Sequence, residues 1–308
     1  MDVKRCPAKL PPLTEETTFH MIVDAHVHYI EPATADRPYA DPAVMVPISV
    51  DELLARTTAA GVDKIVQVTA STMGYDNRYS FEGAAQRSDR VLGCFGRLDP
   101  MGPDVADRLA AFWARPGALG IRLTLFHGWS RHWLAERAID PFLQAAAALD
   151  VPVALFAPFQ AGEVLETARR HPGVRFLIDH ALIRHEAGQT MTSPFRHWPQ
   201  LLELAALPKV WTKVSYFPEA MLGNEAFPYP TAQQHLRVLH EHVGADRLVW
   251  GSNFPPVQRA CTYAQSLDFI RQCGFFSDDD RRKVLGATFL AEFARGHKPE
   301  SPPSMETA

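Results

Sequence analysis

The sequence predicts an α/β protein built as one (β/α)8 TIM barrel, and three observations carry that prediction. Short β-branched runs recur along the chain, each followed by an amphipathic helical pattern. Eight such units occupy about 270 residues, the ordinary extent of a closed α/β barrel. No G-x-G-x-x-G turn follows the first run, which argues against an open doubly wound sheet.

Taken in order, the strands are expected at 22–28, 64–69, 91–98, 119–124, 152–156, 174–180, 209–215 and 247–252. Strands that alternate with helices pair in parallel through right-handed crossovers. Helix starts are marked by Ser49 with Glu52 three residues on, and by Ser277 with Asp280, both in capping-box spacing. Three connections, 29–48, 181–193 and 216–230, are too long for simple turns. All three follow strand C-terminal ends, where barrel enzymes place their chemistry, so they are expected to wall a pocket. The barrel should span 21–296, with an N-terminal extension at 1–20 and a proline-rich tail at 297–308.

Composition narrows the function classes. The chain has 308 residues, 46% hydrophobic and 21% charged, which excludes global disorder and a small stapled scaffold. The 31 basic and 35 acidic residues leave a net charge of −4 with no basic stripe, which argues against a nucleic-acid partner. No apolar run approaches the ~20 residues that cross a bilayer, so no membrane partner is expected. Residues 1–16 lack the apolar segment of a secretory signal, and a cytoplasmic location is the expectation. Cys6, Cys94, Cys261 and Cys273 show no C-x-x-C spacing, so they read as reduced structural thiols.

The chemistry concentrates at predicted strand ends. In the first strand Asp24, His26 and His28 alternate with Val23, Ala25 and Val27, so three polar groups should enter the barrel together. Burying them unpartnered would cost on the order of 1 to 3 kcal/mol each, which calls for hydrogen bonds or a ligand. The sixth strand ends in His180; with Phe176 and Ile178 facing inward, His180 should point into the barrel and Asp179 toward the helices. Arg122 ends the fourth strand, where a guanidinium suits capture of a substrate carboxylate. Asn253 follows the eighth strand on the same rim. Lys213 and Ser215 share a face of the seventh strand as either an anion site or a structural pair. His127, Trp129 and His132 stand in the loop after the fourth strand; Tyr29, Tyr75 and Tyr216 lie just past strand ends as candidate pocket walls.

These residues resemble the amidohydrolase superfamily, in particular the branch that holds pyrone-dicarboxylate and sugar-lactone hydrolases. The resemblance spans about 22–294 and rests on Asp24-Ala25-His26-Val27-His28, Gly120-Ile121-Arg122, His180 and Gly251-Ser252-Asn253-Phe254-Pro255. It implies a distorted barrel that hydrolyses an ester, lactone or amide. Asp76-Asn77-Arg78 is similar to the family segment that lines the substrate pocket, which adds Arg78 and Asn77 to Arg122 as substrate-binding candidates, beside Tyr75 and Tyr216 from their place past strand ends. Two departures matter. The family usually carries aspartate at the Asn253 position as ligand and water base, and residues 153–157 offer no ligand at the end of the fifth strand. A two-metal centre is therefore not expected. No cofactor is favoured, since related lactonases polarise the carbonyl with histidines alone. The alternative is one divalent metal, zinc, held by His26, His28 and His180.

The expected activity is hydrolysis of a small carboxylated lactone or related activated carbonyl compound. His26, His28 and His180 would polarise the carbonyl, Arg122 and Arg78 would fix the carboxylate, and Asn253 would orient water. The water base would be a neutral histidine or Asp24. Two alternatives remain: a lyase that decarboxylates an aromatic or muconate-type acid, and a catalytically impaired binding protein. The aromatic-rich loops allow a homo-oligomer.

Overall fold

The computed structural model describes residues 21–41, 46–184 and 193–294; the N-terminal extension and the tail expected from the sequence lie outside the described residues. Eight parallel strands, β1 (Val23–Val27), β2 (Lys64–Val68), β3 (Val91–Gly96), β4 (Ala118–Thr124), β5 (Val153–Phe156), β6 (Phe176–Ile178), β7 (Val210–Val214) and β8 (Leu248–Trp250), pair in chain order. The barrel closes where β8 returns to β1. A parallel bridge joins Val27 to Phe254, the Asn253 amide donates to the His26 carbonyl (2.9 Å), and the His28 amide donates to the Phe254 carbonyl (2.9 Å).

Helices cover the outside: α1 (Val50–Ala59), α2 (Arg78–Gln86), α3 (Val105–Trp113), α4 (Asp140–Ala148), α5 (Ala161–Arg170), α6 (Trp198–Ala205), α7 (Phe217–Ala220), α8 (Pro230–Val243), α9 (Tyr263–Arg271), α10 (Asp278–Arg282) and α11 (Thr288–Glu292). Both expected capping boxes form: Ser49 caps α1 with Glu52, and Ser277 caps α10 with Asp280. A third, Thr262 with Gln265, starts α9.

Period-two alternation sorts the strand side chains into two layers. Ile65, Ile121, Val153, Leu155, Phe176, Ile178, Leu248 and Trp250 face the helices. Val23, Ala25, Val66, Val68, Phe95, Ala154, Leu177, Trp211 and Val249 fill the interior, where Phe289, Leu290 and Phe293 from the chain's end join them. A large apolar side chain contributes about 1.5–3 kcal/mol on full burial, so this packed floor is a strong term, and it confines polar groups to the strands' C-terminal ends.

The sixth strand departs from the sequence reading. Leu177 faces inward and Phe176 and Ile178 face the helices, so Asp179 enters the barrel, opposite to the expectation. Pairing stops at Ile178, and His180, Ala181 and Leu182 take positive φ (58°, 49° and 57°). That break in the alternation brings His180 in beside Asp179. Two adjacent residues reach one site only because the chain leaves the strand between them.

Candidate active site

His26 and His28 stand at the end of β1, both buried, with ring centroids 4.9 Å apart. The His180 ring lies 4.6 Å from His26. Gly251 makes room: a Cβ there would sit 2.6 Å from the His26 Cβ and 2.9 Å from its backbone nitrogen. β8 can therefore pack directly behind the histidine. Asp24, expected beside the histidines as a possible base, is consumed by the seam. Its Oδ1 accepts from the amides of Ser252 (2.8 Å) and His26 (3.1 Å), and its Oδ2 accepts from the Tyr263 hydroxyl (2.8 Å). It ties β8 and α9 to β1: with Val23 and Ala25 in the interior, Asp24 turns toward the helical layer, contrary to the expectation that it enters the barrel with His26 and His28, and the register shift between Asp24 and Val27 brings the histidines in without it.

Asp179 anchors the electrostatics. One oxygen lies 3.0 Å from Arg122 Nε and the other 2.9 Å from Lys213 Nζ, with all three side chains buried. Burial pushes the Asp179 carboxyl up, but Lys213, His26 and Arg122 overcome it and hold it well below the usual carboxylate range. Burial and Lys213 push His26 far down, burial and Arg122 bring His28 to about 3, and burial also keeps His180 well below its ordinary value. All three imidazoles are neutral at pH 7, while one carboxylate faces two cations.

Hydrogen-bond partners assign the protons. The Val68 carbonyl only accepts, so at 2.6 Å His28 Nδ1 carries a hydrogen and His28 Nε2 keeps a lone pair. The Lys213 ammonium only donates, so at 3.2 Å His26 Nδ1 accepts and His26 Nε2 carries the hydrogen. The two assignments meet in a compatible bond, with His26 Nε2 donating to His28 Nε2 at 3.2 Å. His180 Nδ1 is paired with the Ser215 hydroxyl at 2.7 Å, which leaves Nε2 to face the cluster.

The remaining sequence candidates divide. Arg122 is at the site as expected, although its Nε belongs to Asp179. Tyr216 packs on His180, with centroids 5.3 Å apart. Asn253 borders His28 and donates from Nδ2 to Glu219 Oε1 at 2.9 Å. Asn77 does not face the cluster: it donates to the carbonyls of Arg97 (2.7 Å) and Tyr75 (3.1 Å) and accepts from the Arg97 amide (2.7 Å). Arg78 is half-exposed and forked onto Asp76, an arrangement that spends its charge at the surface. Tyr75 is 43% exposed at the rim beside Arg97. His127 and Trp129 stack within 5° of parallel, and Trp129 is 59% exposed.

Sequence reasoning missed two residues. Arg97 is buried just past β3, donating to the Gly74 carbonyl and the Thr124 hydroxyl, and burial with the nearby Arg122 lowers it to about 10. Its signal was available: it lies two residues past Phe95 on the inward face. Glu219 sits on the short α7, its Oε2 buried without a partner and its pKa pushed up to about 7 by burial. Nothing in the local sequence separates it from a surface glutamate.

His26 and His28 have the spacing of two ligands on a single divalent ion. With Zn–N bonds of 2.0–2.1 Å, two ligands on a tetrahedral ion stand about 3.3 Å apart. His26 Nε2 and His28 Nε2 are separated by 3.2 Å. His180 would supply the third imidazole, with its ring centroid 4.6 Å from that of His26. Among the described residues, the set whose ligand atoms all fall within 4.8 Å of one another is His26, Asp179 and His180, without the expected His28, and Asp179 is already held by two cations.

The amidohydrolase family model matches residues 23–288, most of the chain. The chain belongs to the amidohydrolase family, and it is a hydrolase. It is 31% identical over 288 residues to the L-fucono-1,5-lactonase of Burkholderia ambifaria, covering 86% of this chain and 92% of that one. Among solved structures it superposes on a Burkholderia multivorans amidohydrolase with a TM-score of 0.76 in a form with bound HEPES and 0.75 in a form with bound zinc. Identity is 22%, and 89% of this chain and 99% of the other are covered. A Pseudomonas putida protein provisionally assigned as a 2-pyrone-4,6-dicarboxylic acid hydrolase superposes at 0.71 with 24% identity, covering 90% and 99%. At these identities the solved amidohydrolases establish the shared barrel. No helix among the described residues is long and apolar enough to cross a membrane.

Proposed function

We propose that this amidohydrolase opens a small lactone that carries a carboxylate. The observation that carries the reading is the packing of three neutral imidazoles with centroids 4.6–4.9 Å apart, next to a buried Arg122–Asp179–Lys213 set at the strands' C-terminal ends. The likeness to a lactonase supports the substrate class.

Each residue has a part. The Nε2–H of His26 leaves His28 and donates to the lactone carbonyl, with His180 Nε2 alongside. Stabilising charge that develops on that oxygen is worth about 10²–10³ in rate per donor. The lone pair on His28 Nε2 takes the proton from water as the water oxygen bonds to the carbonyl carbon; the ring C–O bond then breaks, and His28 returns that proton to the departing alkoxide, with Asn253, which borders His28 and favours its protonated form, steadying the charged ring in between. Burial and Arg122 keep His28 weakly basic in the resting site. A substrate carboxylate docked on Arg122 and Arg97 cancels that field and raises the basicity of His28, so only a bound acid activates the base. Were the hydrogen moved off His26 Nε2, the imidazoles would hold a divalent ion, which when bound would supply Lewis-acid polarisation of the carbonyl.

A lyase is the second reading. It is favoured by the locking of Asp179 between Arg122 and Lys213, which leaves the imidazole cluster without a free carboxylate base. Hydrolysis of a panel of sugar and carboxylated lactones by wild type and His180→Ala tests the leading proposal. A loss of at least a hundredfold in kcat/KM is expected. Equal rates, or no turnover by either protein, would overturn it, and carbon dioxide release from aromatic or muconate-type acids would install the lyase in its place.

A further inference from the structure

We infer that Lys213 controls whether this histidine site takes a metal: by donating to His26 Nδ1 it holds His26 in the tautomer that cannot bind one. The inference stands on hydrogen-bond geometry and does not depend on the substrate.

A metal needs unprotonated Nε2 atoms on both His26 and His28. His28 already meets that need, because the Val68 carbonyl fixes its hydrogen on Nδ1. His26 does not. As long as the Lys213 ammonium donates to Nδ1 at 3.2 Å, the only hydrogen of the neutral ring sits on Nε2, on the metal-facing side. Converting His26 to a ligand means moving that hydrogen to Nδ1, where it would meet three Lys213 hydrogens. The carboxylate oxygen on that side, Asp179 Oδ1, stands 3.5 Å away and is ion-paired to Lys213 at 2.9 Å. The carboxylate that would normally receive the hydrogen of a ligating histidine is thus held by the ammonium and stands too far from Nδ1 for a good hydrogen bond. Lys213 also places a second positive charge, with Arg122, against any dication. The ammonium has no easy retreat: it is fully buried on β7, between the ion pair with Asp179 and the face of Phe95, 5.5 Å from the ring centre.

The same bond serves the metal-free chemistry, because it leaves the Nε2–H of His26 as a donor aimed at the cluster. Lys213 is therefore a positioning residue: it selects which of two compatible uses of one histidine pair the site adopts.

Replacement by methionine keeps the stem over Phe95 and removes the donor; replacement by glutamine keeps a neutral polar head. Wild type, Lys213→Met and Lys213→Gln are purified, equilibrated with zinc chloride, desalted, and read by elemental analysis and by calorimetric titration with zinc. Zinc affinity is expected to rise at least tenfold in Lys213→Met, reaching one retained zinc per chain, and the gain should vanish when His26→Ala is added. Nitrogen-15 spectra of histidine-labelled wild type supply a measurement that needs no folded variant: His26 should show its hydrogen on Nε2 and His28 on Nδ1. One tightly retained zinc per wild-type chain, unchanged affinity in the variants, or a His26 hydrogen on Nδ1 in the zinc-free wild type would each overturn the inference.

Discussion

Replacing Glu219 by glutamine should stabilise the protein, and only at neutral to alkaline pH. Glu219 is buried on α7, with Oε1 accepting from Asn253 Nδ2 at 2.9 Å and Oε2 unpartnered. Burial lifts its pKa from 4.5 to about 7. The folded state thus binds the proton more tightly than the unfolded chain, so stability is full below about pH 4.5 and declines as pH rises through 7. At about 1.4 kcal/mol per tenfold change, the rise corresponds to about 3 kcal/mol lost above pH 8. Glutamine carries no charge to bury, and its amide oxygen still accepts from Asn253. Urea unfolding followed by tryptophan fluorescence should put Glu219→Gln within about 1 kcal/mol of wild type at pH 5 and about 3 kcal/mol above it at pH 8.5. A stability difference that stays constant across that range would show that Glu219 does not carry a buried charge, and the reasoning would fall.

Two further outcomes follow from the barrel seam. Asp24→Ala strands three donors, the amides of Ser252 and His26 and the Tyr263 hydroxyl, and at about 1–3 kcal/mol for each buried orphan it should cost at least 3 kcal/mol in urea titrations. Asp24→Asn keeps an acceptor for the amides and should cost less than half as much; similar losses in both would show that the acceptor pattern is not what matters. Asn253→Asp places a second carboxylate 2.9 Å from Glu219. It should lower stability by at least about 1 kcal/mol at pH 8 and recover by pH 5, because like charges at that distance cannot both ionise; a loss independent of pH would contradict this.

Much of the architecture was legible because it rests on local pattern. All eight expected strands are present, and each of their ends falls within two residues of the observed one. Which side chains face inward at the first and sixth strands shows where legibility stops. Alternation is a rule about continuous strands, and Asp179 and His180 lie where the strand gives way to left-handed backbone. Continuous alternation from Phe176 and Ile178 inward would turn Asp179 toward the helices, whereas Leu177 is the inward residue and Asp179 enters the barrel. Arg97 lies on a readable alternation two residues past Phe95, but its burial against the Gly74 carbonyl and the Thr124 hydroxyl comes from distant segments. Glu219 carried no readable signal, since its properties come from burial against an asparagine 34 residues away.

Residue order alone determined the (β/α)8 framework, the helix caps and the presence of His26, His28, Arg122 and His180 at strand ends, since each is a matter of spacing along a few residues. Tertiary structure decided what those residues can do. Which imidazole nitrogen carries a hydrogen, which carboxylate is free and which charge is spent depend on Lys213, Asp179 and Val68, and these meet His26 and His28 only when the barrel closes. Hydrogen bonds and desolvation act over a few ångströms, and no one-dimensional pattern encodes which distant groups will share that space.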